Sequence, residues 1–203
     1  MKKIGIAGTI ASGKTTFCIL LKRRGFPVFN SDRYASMCLH AGHSAVEKLV
    51  DAFGQGIIDE HGDVDRKKLA DVVFHDEEKR QLLNSITHPY IIAGMEHFFS
   101  SHTDLPFAFA EVPLLFEAGL ADKFDEVIVV TCTKETAIRR MMEDRDYSEE
   151  EANARYGAQI NAEKQIEMAD IVIHNDGTMQ DLDHEVNLLL RRLRGRRSQY
   201  AEE

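Results

Sequence analysis

The chain has 203 residues, of which 43% are hydrophobic and 29% are charged, and its formal net charge is −9. This composition is typical of a globular protein, and the length predicts one domain of ordinary size whose core needs no disulfides or metals. The negative net charge argues against a nucleic-acid-binding protein, which normally presents a basic face. Small anionic ligands stay possible because local charges bind them.

The cysteines and the N-terminus carry no sign of export. Cys18, Cys38 and Cys132 are widely spaced and form no CxxC pair, so neither a zinc site nor a redox motif is expected. Reduced, buried thiols are favoured instead. Gly5 and Gly8 interrupt the first apolar run, and no stretch approaches the roughly 18 apolar residues of a membrane span. The sequence therefore predicts a cytoplasmic protein with no membrane association.

Short, nearly continuous apolar runs alternate with helical patterns and predict buried parallel strands. The predicted strands cover residues 4–7, 28–30, 107–112, 126–131 and 170–174. A helix over 14–24 follows the first strand, and a helix over 133–142 with Thr133 as its N-cap follows the fourth. A long helix over 178–194 ends the pattern. This alternation predicts an α/β fold with a five-stranded parallel sheet flanked by helices.

Two segments interrupt this alternation. The longer one separates the second and third strands and has helical patterns over 45–53, 66–74, 77–86 and 89–99. The last of these helices is expected to begin at Pro89, because the residue before a proline favours an extended backbone. The shorter segment, 143–151, is highly charged. The predicted division is a core of 1–30, 106–139 and 166–203, a helical insertion of 31–105 and a lid of 140–165.

Residues 8–15, GTIASGKT, match the motif GxxxxGK(S/T) between a predicted strand and a predicted helix. Glycines at both ends permit backbone angles that turn successive N–H groups toward a phosphate, and the helix N-terminus adds its positive dipole end. Lys14 is expected to reach the β- and γ-phosphates of a nucleotide, and the Thr15 hydroxyl to ligate Mg²⁺. The predicted phosphate contacts are Gly8, Ala11, Ser12, Gly13, Lys14, Thr15 and Thr16. A glycine-rich turn without a ligand is the less favoured alternative.

A nucleotide-binding protein with this motif can be a kinase or a GTP-binding switch. A switch requires an Asp in an (N/T)KxD motif after a strand, and Thr136 stands at that position in 133–136. The DxxG matches at 51–54 and 59–62 lie in the helical insertion and not at a strand end. A kinase is therefore favoured over a switch.

Asp32 is the carboxylate that a kinase would need beside the γ-phosphate. It follows the second strand, and the carboxyl ends of parallel strands gather at one edge of a sheet. Asp32 can accept the proton of the acceptor hydroxyl, help to hold Mg²⁺, or do both. The alternative is a helix N-cap, which Ser31 can also provide.

The sequence resembles the dephospho-CoA kinase family over nearly its whole length. Beside the phosphate loop, the blocks that carry the resemblance are GDVDR at 62–66, LNSITHP at 83–89, EVPLLFE at 111–117 and ADIVIHN at 169–175. The resemblance implies that ATP is the donor, that the 3′-hydroxyl of the dephospho-CoA ribose is the acceptor, and that coenzyme A is the product of this final biosynthetic step. Asp32 matches the acid that the family uses as its base.

The chain departs from the family pattern at several positions. Asn30 replaces the first acid of an Asp pair, and Ser36 stands where many members have Arg. Thr9 and Ala11 replace glycines of the loop at variable positions of the general motif, so the phosphate cradle is expected to survive. The family's second lid arginine falls at Asp144, with Arg145 one residue later.

The remaining roles follow from the resemblance and each has a structural alternative. Arg140 is assigned to the transferred phosphoryl group, or else pairs with Glu143 or Asp144. Arg155, which together with Gln159 matches the family pattern, is assigned to the nucleotide base or a phosphate. His88 is assigned to the acceptor site or else caps a helix, and Glu111 is assigned to the substrate or to a metal-bound water, or else is a plain strand-end charge.

The predicted site is therefore assigned in three groups. The catalytic residues are Lys14, Asp32 and Arg140; the acceptor is assigned to Asp32, Arg66, His88 and Glu111; and Mg²⁺ is assigned to Thr15 and Asp32. The insertion offers a pool of cations among apolar residues, from which Arg66 and His88 are preferred: Arg66, Lys67, Lys68, Lys79, Arg80 and His88. ATP and dephospho-CoA are the expected partners of a monomer or small homo-oligomer.

Overall fold

A computed structural model describes residues 1–157 and 162–200, with side chains described for 1–157 and 163–195. The chain forms two compact units. The first consists of Met1–Phe29 and the chain from His102 onward, and the second is Asn30–Ser101.

The first unit is built on a five-stranded sheet. Its strands are β1 (Lys2–Gly8), β2 (Val28–Asn30), β3 (Phe107–Glu111), β4 (Glu126–Thr131) and β5 (Ile171–His174). The strand order is β2-β3-β1-β4-β5, so β1 is central, and β1 pairs in parallel with both β3 and β4 while β4 pairs in parallel with β5. The predicted five-stranded parallel α/β sheet is confirmed.

Helices connect the strands, as a parallel sheet requires. They are α1 (Lys14–Arg23), α2 (Ser31–Met37), α3 (Ser44–Phe53), α4 (Arg66–Val73), α5 (Glu77–Ser100), α6 (Lys134–Arg145), α7 (Glu149–Gly157), α8 (Ala162–Glu167) and α9 (Met179–Tyr200). Short 3-10 helices cover Gln55–Ile57 and Ala121–Lys123. No helix within the described residues is apolar over a length that would cross a membrane.

The core of the first unit lies between the sheet and the helices α1 and α9. Phe17 and Leu21 of α1 are fully buried against strand residues such as Ile4, Ile6 and Phe109. The apolar stripe of the last helix is buried in the same cluster: Leu182, Val186, Leu189, Leu190 and Leu193. At the polar side of this contact, the Arg24 guanidinium donates to Asp183 Oδ1 at 2.7 Å and Arg24 Nε donates to Asn187 Oδ1 at 2.9 Å.

Most predicted boundaries lie within two residues of the observed ones. β2 and β4 have the predicted bounds, and Thr133 is the N-cap of α6 as predicted, since its Oγ1 accepts from the Thr136 N–H at 3.3 Å. Helix α6 runs three residues past the predicted end and stops where Asp146 takes a left-handed conformation with φ 54°. Helix α9 likewise continues beyond residue 194, to Tyr200.

The second unit is a small helical body with its own apolar cluster. The buried members are Leu49, Ile57, Val64, Leu69 and Val73, and Leu83 and Ile86 pack against them. Helices α3, α4 and α5 all contribute to this cluster. The patterns over 45–53 and 66–74 therefore correspond to real helices, α3 and α4.

The predicted break before Pro89 is wrong, because α5 runs without interruption through both His88 and Pro89. A proline inside a helix lacks one N–H and clashes with the preceding turn, at a cost of about 3 kcal/mol. Packing on both sides of the proline offsets that cost. Before it, Leu83 and Ile86 join the apolar cluster, and after it the helix approaches α2 so closely that a Cβ on Gly94 would lie 2.2 Å from the Tyr34 ring. His88 therefore caps no helix, and that alternative for His88 is wrong.

Candidate active site

The phosphate loop connects the end of the central strand β1 to the start of α1. Its two motif glycines are required by neighbouring atoms. A Cβ on Gly8 would lie 2.2 Å from the Val130 carbonyl oxygen of β4, and a Cβ on Gly13 would lie 2.3 Å from Nδ2 of Asn175. Gly13 also has φ 82°, in the left-handed region that favours glycine.

The carbonyl groups of the loop are bonded to side chains outside it. Asn175 Nδ2 donates to the Ser12 carbonyl at 2.7 Å, and Arg140 Nη1 donates to the Ala11 carbonyl at 3.3 Å. In a trans peptide the C=O and the next N–H point in opposite directions. Pairing the Ser12 carbonyl with Asn175 therefore turns the Gly13 N–H to the other side of the loop.

The start of α1 has no side-chain cap, because Gly13 is the N-cap residue. A helix N-terminus without a capping side chain presents N–H groups to an anion, with the positive dipole end behind them. Lys14 stretches back along the loop and its Nζ donates to the Gly8 carbonyl at 3.5 Å. The loop therefore combines backbone donors and a cation, which is the chemistry that binds a phosphate.

Ala11 has a strained backbone. Its φ is 55°, a left-handed value that is uncommon for residues other than glycine, asparagine and aspartate. The position is one where the dephospho-CoA kinase resemblance leads one to expect glycine. The cradle is formed with alanine in place, and strain on the order of 1 kcal/mol is the expected cost.

Two side-chain oxygens, one from Thr15 and one from Glu111, lie beside the phosphate loop. Thr15 Oγ1 donates to Glu111 Oε1 at 3.2 Å, and Glu111, the last residue of β3, is only 4% exposed.

Burial, reinforced by the negative charge of Glu111, raises the pKa of the Cys18 thiol and keeps it protonated. All three cysteines of the chain are buried and form no disulfide.

The Thr15 and Glu111 oxygens fit the preference of Mg²⁺ for hard oxygen ligands. The described residues contain no group of three or more His, Cys, Asp and Glu side chains that could hold a metal. Mg²⁺ at a phosphotransfer site needs no such group, since it takes one or two protein oxygens and completes its shell with phosphates and water.

Arg140 is half-buried on α6 and points at the loop. The alternative in which it pairs with Glu143 or Asp144 is wrong, because Arg139 is the residue that bonds to Glu143, at 3.4 Å, while Arg140 bonds to Ala11. Burial opposes ionisation of the nearby Asp176, but hydrogen bonds from Thr133 and the charge of Arg140 hold the pKa of that carboxyl below its usual range.

The other arginines of the predicted lid lie on exposed helix surfaces. The guanidinium carbon of Arg155, on α7, lies 4.4 Å from the centroid of the Tyr147 ring, a cation–π contact. Arg145 ends α6 and is exposed. Gln159 lies outside the described residues.

In the second unit, Asp32 occupies the first turn of α2, and Asn30 caps that helix. Asn30 Oδ1 accepts from the Arg33 N–H at 2.7 Å, so neither Asp32 nor Ser31 is the N-cap. The polar residue that replaces an acid of the family therefore has a structural role. The carboxylate of Asp32 is exposed near the positive end of the helix dipole.

The cations of the second unit differ in their pairing. Lys68 pairs with Asp65, Lys79 pairs with Asp76, and Arg80 pairs with Glu77, in each case three residues apart. Arg66 begins α4 and His88 lies half-buried within α5, and neither forms an ion pair with any residue that the structure describes. These are the two cations that the resemblance favoured for the acceptor.

Two residues directly after β5 make contacts that the sequence did not indicate, one with the loop and one with the start of α6. Asn175 bonds to the Ser12 carbonyl, and Asp176 accepts from the N–H and hydroxyl of Thr133 at 2.8 and 2.9 Å. The available signal was their position, since polar residues directly after a parallel strand face the ligand edge of such a sheet.

A parallel sheet whose central strand leads through GxxxxGK(S/T) into a helix defines a P-loop nucleotide-binding protein. The model of the dephospho-CoA kinase family matches residues 2–181, and the chain belongs to that family.

Individual relatives agree with this assignment. The chain is 37% identical to the dephospho-CoA kinase of Carboxydothermus hydrogenoformans over 191 residues, which is 93% of each chain. A crystal structure from Thermus thermophilus is similar with a TM-score of 0.81 at 33% identity, covering 95% of this chain and 97% of that one. The dephospho-CoA kinase from Campylobacter jejuni gives a TM-score of 0.72 at 29% identity, covering 93% and 95%.

The strain at Ala11 predicts an unusual response to glycine. We expect Ala11→Gly to lower the free energy of unfolding by less than about 1 kcal/mol, or to raise it. Relief of the left-handed strain offsets the added entropy of the unfolded chain. The matched control is Ala154→Gly at an exposed position of α7, which should lower the free energy of unfolding by about 1 kcal/mol. Urea denaturation compares them, and a loss at Ala11 as large as at Ala154 would show that no strain is present.

Proposed function

We propose that the protein transfers the γ-phosphoryl group of ATP to the 3′-hydroxyl of the dephospho-CoA ribose, giving coenzyme A and ADP, the last step of coenzyme A biosynthesis. The family match over residues 2–181 carries this proposal. The geometry of the phosphate loop supports the donor half, and the resemblance supports the ribose hydroxyl as acceptor.

The transfer forms a bond between the ribose 3′-oxygen and the γ-phosphorus while the bond to the β–γ bridging oxygen breaks. The charge spreads over the transferred phosphoryl oxygens, so cations and N–H donors that are fixed in advance lower the barrier most. The donor phosphates are held by Lys14 and by the N–H groups of residues 11–16, of which Thr16 lies in the first turn of α1. Gly8 and Gly13 let the loop close around these phosphates. Arg140 reaches the loop from α6 and adds positive charge at the same end.

Mg²⁺ would be held by the Thr15 hydroxyl, with Glu111 orienting that hydroxyl or a metal-bound water and Asp32 as a second candidate ligand. When bound, it neutralises the charge of the β- and γ-phosphates. The Thr15–Glu111 hydrogen bond supports this assignment because it fixes the direction of the hydroxyl.

Asp32 is proposed as the base that receives the proton of the acceptor hydroxyl. Its carboxylate is exposed in the first turn of α2, and Asn30 already provides the cap that would otherwise account for an acidic residue there. The match of Asp32 to the acid that the family uses as its base carries this assignment.

The acceptor is assigned to the insertion, residues 31–105. Dephospho-CoA has a diphosphate and a long pantetheine arm, so its site needs cations beside exposed apolar surface. Arg66 and His88 form no ion pair among the described residues, which is also true of Lys67, and the family resemblance is what prefers these two. Val73, Leu83 and Ile86 belong to the apolar cluster, whereas Phe74 is 69% exposed and Leu82 is 42% exposed.

The lid is assigned to residues 140–165, with Arg155 as a contact of the bound nucleotide. Stacking on Tyr147 supports a role for Arg155 in holding a flat group, because the guanidinium plane is already ordered. We expect a cytoplasmic protein that is a monomer or a small homo-oligomer.

An acceptor panel tests this function. The purified protein should release ADP from Mg²⁺·ATP with dephospho-CoA and far more slowly with nucleoside monophosphates, shikimate or gluconate. Release without any acceptor, together with tight GTP binding, would support a nucleotide switch instead. Equal rates with several acceptors would contradict the proposed substrate while leaving the phosphotransferase class intact.

Removing the ammonium of Lys14 should strongly lower turnover without affecting folding. Lys14→Ala is expected to lower turnover by at least about 100-fold, since a cation aimed at developing charge contributes several kcal/mol at such sites. The melting temperature without ligand should stay within about 2 °C of the unchanged protein. The exposed Lys22 at the end of the same helix gives the matched control, Lys22→Ala. Near-normal turnover in Lys14→Ala would exclude the assigned role.

Asp32→Asn keeps the shape of the side chain and removes its charge. We expect kcat to fall by about 10²- to 10⁴-fold with a modest change in ATP affinity, as for the loss of a general base. Asp51→Asn, at an exposed position of α3, is the control. A variant whose main defect is weak binding of Mg²⁺·ATP would make Asp32 a metal ligand and remove it as the base.

Arg66→Ala and His88→Ala are expected to raise the KM for dephospho-CoA by about 10-fold or more, since each charge-assisted contact is worth roughly 1.5–3 kcal/mol. The KM for ATP should change much less. Lys79→Ala, which removes a cation that is already paired with Asp76, should leave both constants nearly unchanged. Equal effects on both substrates would move the acceptor site away from these helices.

A further inference from the structure

The side chain of Asn175 is buried and directed at the backbone of the phosphate loop. Asn175 is 6% exposed, and its Nδ2 lies 2.7 Å from the Ser12 carbonyl oxygen, 163 residues away in the chain. A carbonyl oxygen only accepts, so the amide must present its NH₂ group to Ser12. The same nitrogen occupies the space where a side chain at position 13 would begin.

The backbone that carries Asn175 is itself fixed. The Asn175 N–H donates to the Thr131 carbonyl at 2.8 Å, which continues the parallel pairing of β5 with β4. The next residue, Asp176, accepts from the Thr133 N–H and hydroxyl at 2.8 and 2.9 Å. Asn175 is therefore held on both sides, and its amide can hold the loop in one position.

These contacts close a ring around the end of the sheet. Thr133 caps α6, α6 carries Arg140, and Arg140 returns to the loop at the Ala11 carbonyl, 3.3 Å from its Nη1. The carbonyls of two successive loop residues, Ala11 and Ser12, are thus bonded to side chains that the β4–α6 and β5–α9 segments supply. A loop bonded at both carbonyls needs less reorganisation when an anion binds to its N–H groups.

We infer that Asn175 is a positioning residue for ATP: it holds the phosphate loop in its binding-competent shape without contacting the nucleotide phosphates itself. This inference rests on the proposed function only in taking ATP as the ligand of the loop. It concerns donor binding and is independent of which hydroxyl accepts the phosphoryl group.

Removing the Asn175 amide is expected to weaken ATP binding, because the Ser12 carbonyl is buried. Without the amide, the Ser12 carbonyl loses its partner, and the loop exchanges into shapes in which that carbonyl finds another one. The apparent affinity for ATP then falls in proportion to the fraction of the protein whose loop is still competent. Affinity for the acceptor is unaffected by that fraction unless the acceptor also requires the loop.

The test compares Asn175→Ala with Asn187→Ala in the full-length protein. Asn187 is a matched control because it also hydrogen-bonds in the first unit, accepting from Arg24 Nε at 2.9 Å, but it lies on α9. We measure the Kd of a non-hydrolysable ATP analogue by calorimetry, the KM of each substrate, and the melting temperature. Asn175→Ala should raise the Kd and the KM for ATP by about 10- to 100-fold, with less than about a 3-fold change in the KM for dephospho-CoA.

Asn187→Ala should lower the melting temperature with the Kd for the ATP analogue unchanged. Asn175→Asp is the second variant, since it keeps the size of the side chain, directs an oxygen at the Ser12 carbonyl and should weaken ATP binding at least as much as Asn175→Ala. If the Asn175 variants lose only stability and bind the analogue as the Asn187 variant does, the inference is wrong. The unchanged protein serves as the reference: if it binds ATP but phosphorylates another acceptor, the proposed function fails and the role of Asn175 still stands.

Discussion

The contact between the phosphate loop and the ends of β4 and β5 is the constraint on which the rest of the site depends. The loop passes so close to these strands that no side chain fits at Gly8 or Gly13. Its Ala11 and Ser12 carbonyls then find donors on Arg140 and Asn175. The strand order β3-β1-β4-β5 makes this possible, because it places two strand ends beside the loop that leaves β1. The sheet therefore determines the shape of the cradle as well as its position.

The chemistry of the site follows from this geometry. Once the carbonyls are engaged on one side, the N–H groups and the dipole of α1 define a positive region, and Lys14 and Arg140 carry full charges next to it. The Thr15–Glu111 pair supplies the hard oxygen atoms at the same end of the sheet. A nucleotide polyphosphate satisfies the first feature, and the proposed Mg²⁺ would use the second. Asp176, ionised through its bonds to Thr133, balances part of the positive charge and holds the start of α6.

Local patterns were sufficient for much of the fold and for the loop, but they did not reveal long-range contacts. The bounds of β2 and β4, the cap at Thr133 and the phosphate loop follow from apolar runs and motif spacing, so they were predictable. Pro89 was misleading because tertiary packing of α5 outweighs the local cost of a proline, and that packing has no local signature. Asn30 as the cap of α2 was missed because Ser31 and Asp32 are equally good capping residues in sequence. The contact of Asn175 with the loop was missed because its partner is 163 residues away, and only its position directly after β5 pointed to it. The roles of Asp32, Arg66, His88 and Arg155 are still predictions that rest on the family resemblance.

The identity of the phosphorylated product tests the central claim most directly. After incubation of the protein with Mg²⁺·ATP and dephospho-CoA, mass spectrometry and phosphorus NMR of the acceptor establish where the γ-phosphoryl group has gone. We predict one added phosphoryl group on each acceptor molecule, a new phosphomonoester resonance coupled to the ribose 3′ proton, and one ADP for each product molecule. Recovery of the phosphoryl group as inorganic phosphate, or its attachment at any other position, would contradict the account.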